Sequence, residues 1–211
     1  MDLMELMKER HSVRQYTDRP IEEEKRTSID HYITELNQES GLQIQVLYDE
    51  PKCFNSFIAH YGSFQNVTNY IAVVGKDAET GGYYGEKLVL YCQALGLNTC
   101  WVALSHGRSK AKIGKGEKLI SLIALGYGAT AGSPRFSRRI EELSTADVPT
   151  DWFLKGIEAV CLAPTAMNQQ KFFFELKDGV VTAKEIKGLY TKIDLGIAKY
   201  HFEAISGHKV N

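Results

Sequence analysis

APTAMNQQ, at residues 163–170, stands between a predicted helix and a predicted strand that begins with three phenylalanines. Pro164 fixes its own backbone and disfavours helical geometry at the residue before it, so the helix must end here. Thr165, Asn168 and Gln170 then supply one hydroxyl and two carboxamides, and each carboxamide can both donate and accept hydrogen bonds. Such a set suits the polar edge of a heteroaromatic ring. The alternative is a plain turn, in which the same residue types are common.

The chain of 211 residues is long enough for one domain with a substantial core, or for two small lobes that share one. Its 25 basic and 26 acidic residues give no sign of a nucleic-acid surface or of a basic face for membranes. No apolar run approaches the roughly 20 residues that span a bilayer, and the first residues do not resemble a signal peptide. The four cysteines form no C-x-x-C pair, which argues against a metal site and is typical of reduced thiols in a cytoplasmic protein.

A basic segment follows the first predicted helix. Arg10 and Arg14 flank His11 and Ser12 within five residues, and we call residues 10–14 the first arginine segment. Arginine presents a planar fork that matches phosphate oxygens, and a serine hydroxyl adds a further donor. The segment is therefore a candidate anion cradle, and the alternative is a solvated basic turn.

A second basic cluster lies further along the chain, at residues 135–139. Three of these five residues are arginines, and we call them the second arginine segment. Two such clusters that converge from different elements can grip one phosphate together.

Apolar periodicity predicts a mixture of helices and strands. Helices are predicted at 2–9, 21–37, 83–95, 151–161 and 195–205, and strands at 42–48, 69–75, 98–104, 119–128 and 171–176, with a hairpin turn at Asp178-Gly179. Residues 49–68 are predicted to form a loop with one short helix. Helix and strand follow one another in a similar order early and late in the chain. This order hints at two pseudo-repeated lobes, 1–145 and 146–211.

Several short motifs together resemble the nitroreductase family of FMN-dependent oxidoreductases. RHSVRQY at 10–16 is similar to its opening R-x-S-x-R motif, ALGLNTCW at 94–101 to its A-x-G-L-G-x-x-W helix end, and APTAMNQQ to A-P-S-x-x-N-x-Q. IALGYG at 123–128 resembles its last core strand, and residues 135–143 resemble its basic loop. In the common arrangement the A-P-S-x-x-N-x-Q segment soon follows the first arginines, whereas here it lies about 150 residues later. The chain thus resembles a permuted or rearranged member.

The resemblance implies an α+β fold over residues 1–211, with a central, mainly antiparallel sheet flanked by helices. It also implies FMN as cofactor. The residues that would hold its phosphate and ribityl chain are Arg10, His11, Ser12 and Arg14, with added charge from Arg135 or Arg138. The residues that would line its isoalloxazine ring are Pro164, Thr165, Asn168 and Gln170. Backbone N–H groups at 103–105 would approach its N5 atom, where a donor stabilises the reduced flavin.

The activity that the resemblance implies is a two-step reaction. NAD(P)H reduces FMN, and an electron-poor acceptor such as a nitroaromatic or a quinone then takes the electrons. No catalytic side chain is expected, since the flavin carries the chemistry, and the six histidines are expected to be structural or solvated. Aromatic residues that are candidates for stacking on substrate are Tyr61, Tyr83, Tyr84 and Trp101, with core packing as the alternative.

The resemblance further implies a homodimer, because FMN lies between two subunits in the common arrangement. A real duplication would instead make one chain a pseudo-dimeric monomer. The alternative functions are a flavin-binding or sensing protein without turnover, a sister flavin reaction such as reductive dehalogenation, and a small α/β domain without cofactor.

Overall fold

A computed structural model describes residues 2–55 and 62–211 of the chain. Two residues discussed above, His60 and Tyr61, lie outside this description. The helices are α1 (Leu3–Glu9), α2 (Glu23–Ser40), α3 (Ala78–Ala94), α4 (Ile140–Leu143), α5 (Asp151–Val160) and α6 (Thr191–Ser206), with 3₁₀ turns at Pro51–Cys53 and Ala166–Asn168. The strands are β1 (Gln45–Leu47), β2 (Asn69–Gly75), β3 (Asn98–Val102), β4 (Lys118–Gly126), β5 (Ser144–Ala146), β6 (Phe172–Lys177) and β7 (Val180–Glu185).

The predicted α+β class is confirmed, and local signals placed several boundaries well. Helix α2 ends at Gly41, which has a φ of 71° and donates its N–H to the Asn37 carbonyl. The hairpin between β6 and β7 turns at Asp178 and Gly179, with φ values of 50° and 77°. Two helix starts were wrong. Helix α3 begins at Ala78 and runs through two glycines that were expected to precede it, and α6 begins at Thr191 instead of residue 195.

The chain divides into two compact units, and neither is one continuous stretch. The N-terminal unit consists of Arg10–Asp77 and Leu88–Pro134. The C-terminal unit consists of Met1–Glu9, Ala78–Lys87 and Arg135–Asn211. The division into lobes 1–145 and 146–211 stays a prediction.

The N-terminal unit contains a four-stranded antiparallel sheet in the order β1-β2-β4-β3. All seven residues of β2 are buried, as its continuous apolar sequence predicts. The first arginine segment covers the edge of β3, where Ser12 forms a parallel bridge with Thr99. The N–H of Val13 donates to the Thr99 carbonyl over 3.0 Å, so backbone bonding fixes this segment along the strand.

The C-terminal unit contains a three-stranded sheet in which β6 pairs parallel with β5 and antiparallel with β7. The start of α3 crosses α6 so closely that a Cβ atom on Gly82 would lie 2.1 Å from the Ile193 carbonyl oxygen. A Cβ atom on Gly196 would lie 1.9 Å from the Glu79 carbonyl oxygen. The absence of a side chain at Gly82 and Gly196 therefore lets α3 and α6 cross at this short distance. This packing explains why α3 continues through Gly81 and Gly82. No helix in the described part of the chain is long and apolar enough to cross a membrane.

Candidate functional site

Neighbouring side chains of the first arginine segment alternate between the core and the surface. Val13 is fully buried in the core, whereas Ser12 is half-buried and Arg14 is exposed, as alternation in an extended segment requires. Arg10 is 2% exposed. The Ser12 hydroxyl hydrogen-bonds the Cys100 thiol, whose pKa is raised by burial and lowered by the nearby Arg14 and Arg10 charges. Two guanidinium groups and a hydroxyl thus lie near the Cys100 thiol in β3.

Gly132, in a neighbouring loop, packs against the first arginine segment. Gly132 has a φ of 74°, and a Cβ atom there would lie 2.8 Å from the His11 Cβ and 3.0 Å from the Ser12 carbonyl oxygen. At this distance and with this positive φ, only glycine fits at position 132. The loop can therefore pack directly against residues 11 and 12. His11 is half-buried at this contact.

Residues 163–170, which we call the amide turn, have an unusual backbone. Met167, Asn168 and Gln170 have φ values of 53°, 51° and 47°. Left-handed conformations cost non-glycine residues roughly 1–2 kcal/mol each, so surrounding bonds must enforce them. One such bond runs from the Gln170 N–H to the Thr165 hydroxyl oxygen over 3.1 Å. Strain of this kind clusters at functional sites.

Two of the three carboxamides of the amide turn, those of Asn168 and Gln170, bind the backbone of the second arginine segment. Gln170 is 3% exposed; its Oε1 accepts from the Arg138 N–H over 2.9 Å, and its Nε2 donates to the Phe136 carbonyl over 3.1 Å. Asn168 Nδ2 donates to the same carbonyl over 2.8 Å. The amide turn and the second arginine segment therefore form one rigid surface within the C-terminal unit. Pro164 is buried and Thr165 half-buried in that turn.

A buried carboxylate that sequence reasoning missed supports the amide turn. Asp194 in α6 is 2% exposed and accepts hydrogen bonds from the Ala166 N–H over 2.9 Å and from Gln169 Nε2 over 2.8 Å. Burial raises its pKa to about 6. The only sequence signal was an acidic residue between the apolar Ile193 and Leu195.

The remaining candidates fall in different places. In the second arginine segment, Arg135 is half-buried and Arg138 exposed. Residues 103–105 follow β3 in the N-terminal unit. Tyr83 donates its hydroxyl proton to Glu203 over 2.9 Å, which is typical of a packed rather than a substrate-facing tyrosine. His201 is fully buried, and its Nδ1 atom lies 2.9 Å from the carbonyl oxygen of Ala159.

Comparison with known proteins gives consistent matches. The family model described as "Putative TM nitroreductase" matches residues 2–206. The chain is similar to a Thermotoga maritima protein described as a "putative nitroreductase", with a TM-score of 0.69 and 25% identity over 96% of this chain and 82% of that one. A Desulfovibrio desulfuricans protein of the same description, crystallised with FMN, gives a TM-score of 0.51 and 19% identity over 68% and 95%.

A further similar structure is a Bacteroides thetaiotaomicron protein described as a "Putative NADH dehydrogenase/NAD(P)H nitroreductase". Its TM-score is 0.51 and its identity 18%, over 67% of this chain and 95% of that one. At such identities the last two comparisons show the fold alone. No curated protein matches the chain.

Proposed function

Since this chain belongs to the nitroreductase family, whose model spans residues 2–206, we propose that it is an FMN-dependent oxidoreductase that takes electrons from NAD(P)H. The observation that carries the proposal is the first arginine segment. Its backbone is bonded along β3, and its Arg10, Ser12 and Arg14 lie near the Cys100 thiol of that strand.

The donors of this segment fit a phosphate monoester. Guanidinium groups form charge-assisted, often bidentate hydrogen bonds with phosphate oxygens, and the serine hydroxyl can add a neutral one. The backbone at Gly132 packs directly against His11 and Ser12, where a Cβ atom would not fit. We assign the FMN phosphate to Arg10, Ser12 and Arg14, with His11 beside them.

The amide turn fits the polar edge of an isoalloxazine ring in a different way from the one its sequence predicts. Gln170 uses its carboxamide on residues 136 and 138, so we assign it the task of holding the turn in shape. Asn168 also donates to the Phe136 carbonyl, but it is exposed, and Thr165 is half-buried. We assign them, with Pro164, to the wall of the ring.

FMN, when bound, supplies hydride and electron transfer from NAD(P)H to an acceptor such as a nitroaromatic or a quinone. The chain's own residues bind and orient it. Arg10 and Arg14 balance the phosphate charge, and the backbone around 103–105 offers N–H donors to the ring. Asp194 keeps the amide turn in its strained shape through Ala166 and Gln169. None of these tasks needs a side chain that changes its protonation state.

The experiment that tests the proposal is stoichiometric flavin binding. Purified protein is incubated with FMN or with riboflavin, desalted, and its flavin absorbance compared with its protein content. We expect about one FMN retained per chain and much weaker retention of riboflavin, because riboflavin lacks the phosphate. Equal retention of FMN and riboflavin would contradict the assignment of the first arginine segment to the phosphate. Retention of neither compound would contradict the assignment of a flavin.

A further inference from the structure

Asp194 is a buried acid whose hydrogen bonds favour one of its two protonation states. One carboxylate oxygen accepts from the Ala166 N–H over 2.9 Å, and the other accepts from Gln169 Nε2 over 2.8 Å. An ionised carboxylate only accepts hydrogen bonds, whereas a protonated carboxyl group carries an O–H donor on one oxygen. Because an N–H group faces each oxygen of Asp194, a proton on either oxygen would weaken one of the two bonds. The arrangement therefore suits the ionised form.

Gln169 cannot adapt to a proton on Asp194 without losing another bond. Its Nε2 atom also donates to the Leu189 carbonyl over 2.7 Å, so both N–H bonds of this amide are in use. Turning the amide round would place Oε1 where these two N–H bonds now point, and would set it against the Leu189 carbonyl oxygen. Protonation of Asp194 therefore breaks a hydrogen bond either at Asp194 or at Leu189.

The backbone of the amide turn depends on these bonds. Met167 and Asn168, with φ values of 53° and 51°, lie between the two residues that Asp194 holds, Ala166 and Gln169. A left-handed conformation is unfavourable for residues other than glycine, so the surrounding bonds must maintain it. A bond lost at Asp194 is therefore transmitted to the backbone of Met167 and Asn168.

Both protonation states of Asp194 are accessible near neutral pH. Its side chain is 2% exposed, and burial raises its pKa to about 6, while the hydrogen bonds from Ala166 and Gln169 act in the opposite direction. No charged group among the described residues forms an ion pair with its carboxyl group. The charged groups on the elements packed against it have other partners or are at least partly exposed: Glu185 with Thr191, Glu79 with Lys199, Glu86 with His201, Glu5 with Lys8, and the partly exposed Lys155, Glu158, Lys171, Lys184, Lys187 and Lys192.

From these features we propose that Asp194 is a positioning residue that couples flavin binding to pH: its carboxylate holds the amide turn in the shape that receives the flavin ring, and its protonation releases that shape. The identity of the ligand rests on the proposed function. Above about pH 7 the carboxyl group is already ionised, so flavin binding involves no proton there. Below about pH 6, flavin binding releases one proton from Asp194 to the solvent.

This coupling has the opposite sign to the effect of Asp194 on stability. Burial favours the protonated form in the folded protein, so the fold gains stability from Asp194 at low pH. Flavin binding needs the ionised form, so it should weaken at low pH. A residue that only supported the fold would leave flavin binding at least as tight at pH 5 as at pH 7.5.

The test is a titration of the flavin-free protein with riboflavin between pH 5 and pH 8, followed by quenching of flavin fluorescence. Riboflavin is used because it lacks a phosphate, which would itself titrate in this range. We expect the Kd of the parent protein to be about tenfold higher at pH 5 than at pH 7.5, since affinity falls about tenfold for each pH unit below the pKa of Asp194.

Two variants assign this pH dependence. Asp194→Asn carries an N–H donor where the proton would sit, so at pH 7.5 it should bind riboflavin about tenfold more weakly than the parent, without further change at pH 5. Asp147→Asn is the control, because Asp147 also accepts two backbone N–H bonds, from Val148 and Asp178, but is exposed and lies outside the amide turn. It should keep the affinity and the pH profile of the parent protein.

Gln169→Ala tests the coupling without changing the buried acid. With this donor removed, a protonated Asp194 can keep its bond from Ala166, so riboflavin binding should no longer depend on pH. Equal affinity of the parent protein at pH 5 and pH 7.5 overturns the proposal, and so does the same pH profile in the parent and in Asp194→Asn.

A measurement without flavin separates this proposal from the proposed function. In NMR spectra of the flavin-free protein, the Ala166 N–H and the Gln169 side-chain amide signals should shift together with a midpoint near pH 6, and should not do so in Asp194→Asn. Such shifts in a protein that binds neither FMN nor riboflavin would support the coupling at the amide turn and contradict the flavin assignment. Normal flavin binding with amide signals that ignore pH would do the reverse.

Discussion

Arg14 is exposed and carries charge beside Ser12 and the buried Arg10, so its removal should affect binding and leave the fold intact. Arg14→Ala should weaken FMN binding by about 1–3 kcal/mol, since a charge-assisted hydrogen bond to phosphate is lost. Quenching of flavin fluorescence measures the affinity, and Arg108→Ala serves as the control for net charge. Unchanged affinity in Arg14→Ala would remove this residue from the site.

Asp194 makes stability depend on pH through its buried carboxyl group. Its pKa is about 6 in the folded protein against an ordinary 3.8, so the folded state binds a proton more tightly than the unfolded state. The resulting stability is fully present below pH 3.8 and is lost as the pH rises through about 6. The shift corresponds to about 3 kcal/mol.

The Asp194→Asn variant lacks this titrating carboxyl group, so comparing it with the parent protein isolates the contribution of Asp194 to the pH dependence of stability. Between pH 4 and pH 7 the free energy of unfolding of the parent protein should fall, relative to that of the variant, by up to about 3 kcal/mol. Denaturant unfolding at several pH values gives both curves. A difference between the two proteins that stays constant with pH would show that Asp194 does not titrate in this range.

Arginines beside a serine predict an anion cradle, and the structure places this segment along β3; anion binding there stays a prediction. Residue-scale prediction is weaker where a side chain has several uses. Gln170 was expected to face a ring, but its buried carboxamide binds the backbone at 136 and 138. Asp194 was missed because nothing in the local sequence distinguishes a buried supporting carboxylate from a surface one.

At the scale of elements, the crossing of α3 and α6 depends on Gly82 and Gly196. A glycine to alanine change inside a helix normally stabilises it by roughly 0.5–1 kcal/mol. Here the added methyl group would clash with backbone atoms that cannot move aside, and this clash outweighs the gain in helix propensity. Gly196→Ala should therefore destabilise the protein by about 2 kcal/mol or more. Thermal or denaturant unfolding measures the change.

Lys192→Ala, at an exposed position on the same helix, is the control and should stay within about 0.5 kcal/mol of the parent. A gain of stability in Gly196→Ala would mean that the helices do not approach as closely as the structure has them.

The same crossing explains why the start of α3 was predicted wrongly. Two adjacent glycines are a local signal for a break, and tertiary packing against α6 overrides it. The hairpin at Asp178-Gly179 was predicted well because its cause is local, namely two residues that accept a positive φ. Boundaries set by the chain's own turns were therefore predictable, and those set by contacts between distant helices were not.

For the whole molecule, the similar order of helices and strands early and late in the chain bears on the oligomeric state. The duplication that this order hints at and the homodimer that the resemblance implies both stay predictions. If two repeats of one chain stand in for two subunits, light scattering of the flavin-loaded protein will give 23.7 kDa instead of twice that mass.

We propose that the chain carries a flavin which nicotinamide dinucleotides reduce. The visible absorbance of FMN-loaded, desalted protein, recorded under anaerobic conditions before and after addition of NADH or NADPH, tests this proposal. We expect a flavin band that bleaches with at least one of the two nucleotides and returns when a quinone or a nitroaromatic compound is added. A retained band that neither nucleotide bleaches would contradict the claim and favour a flavin-binding protein without turnover.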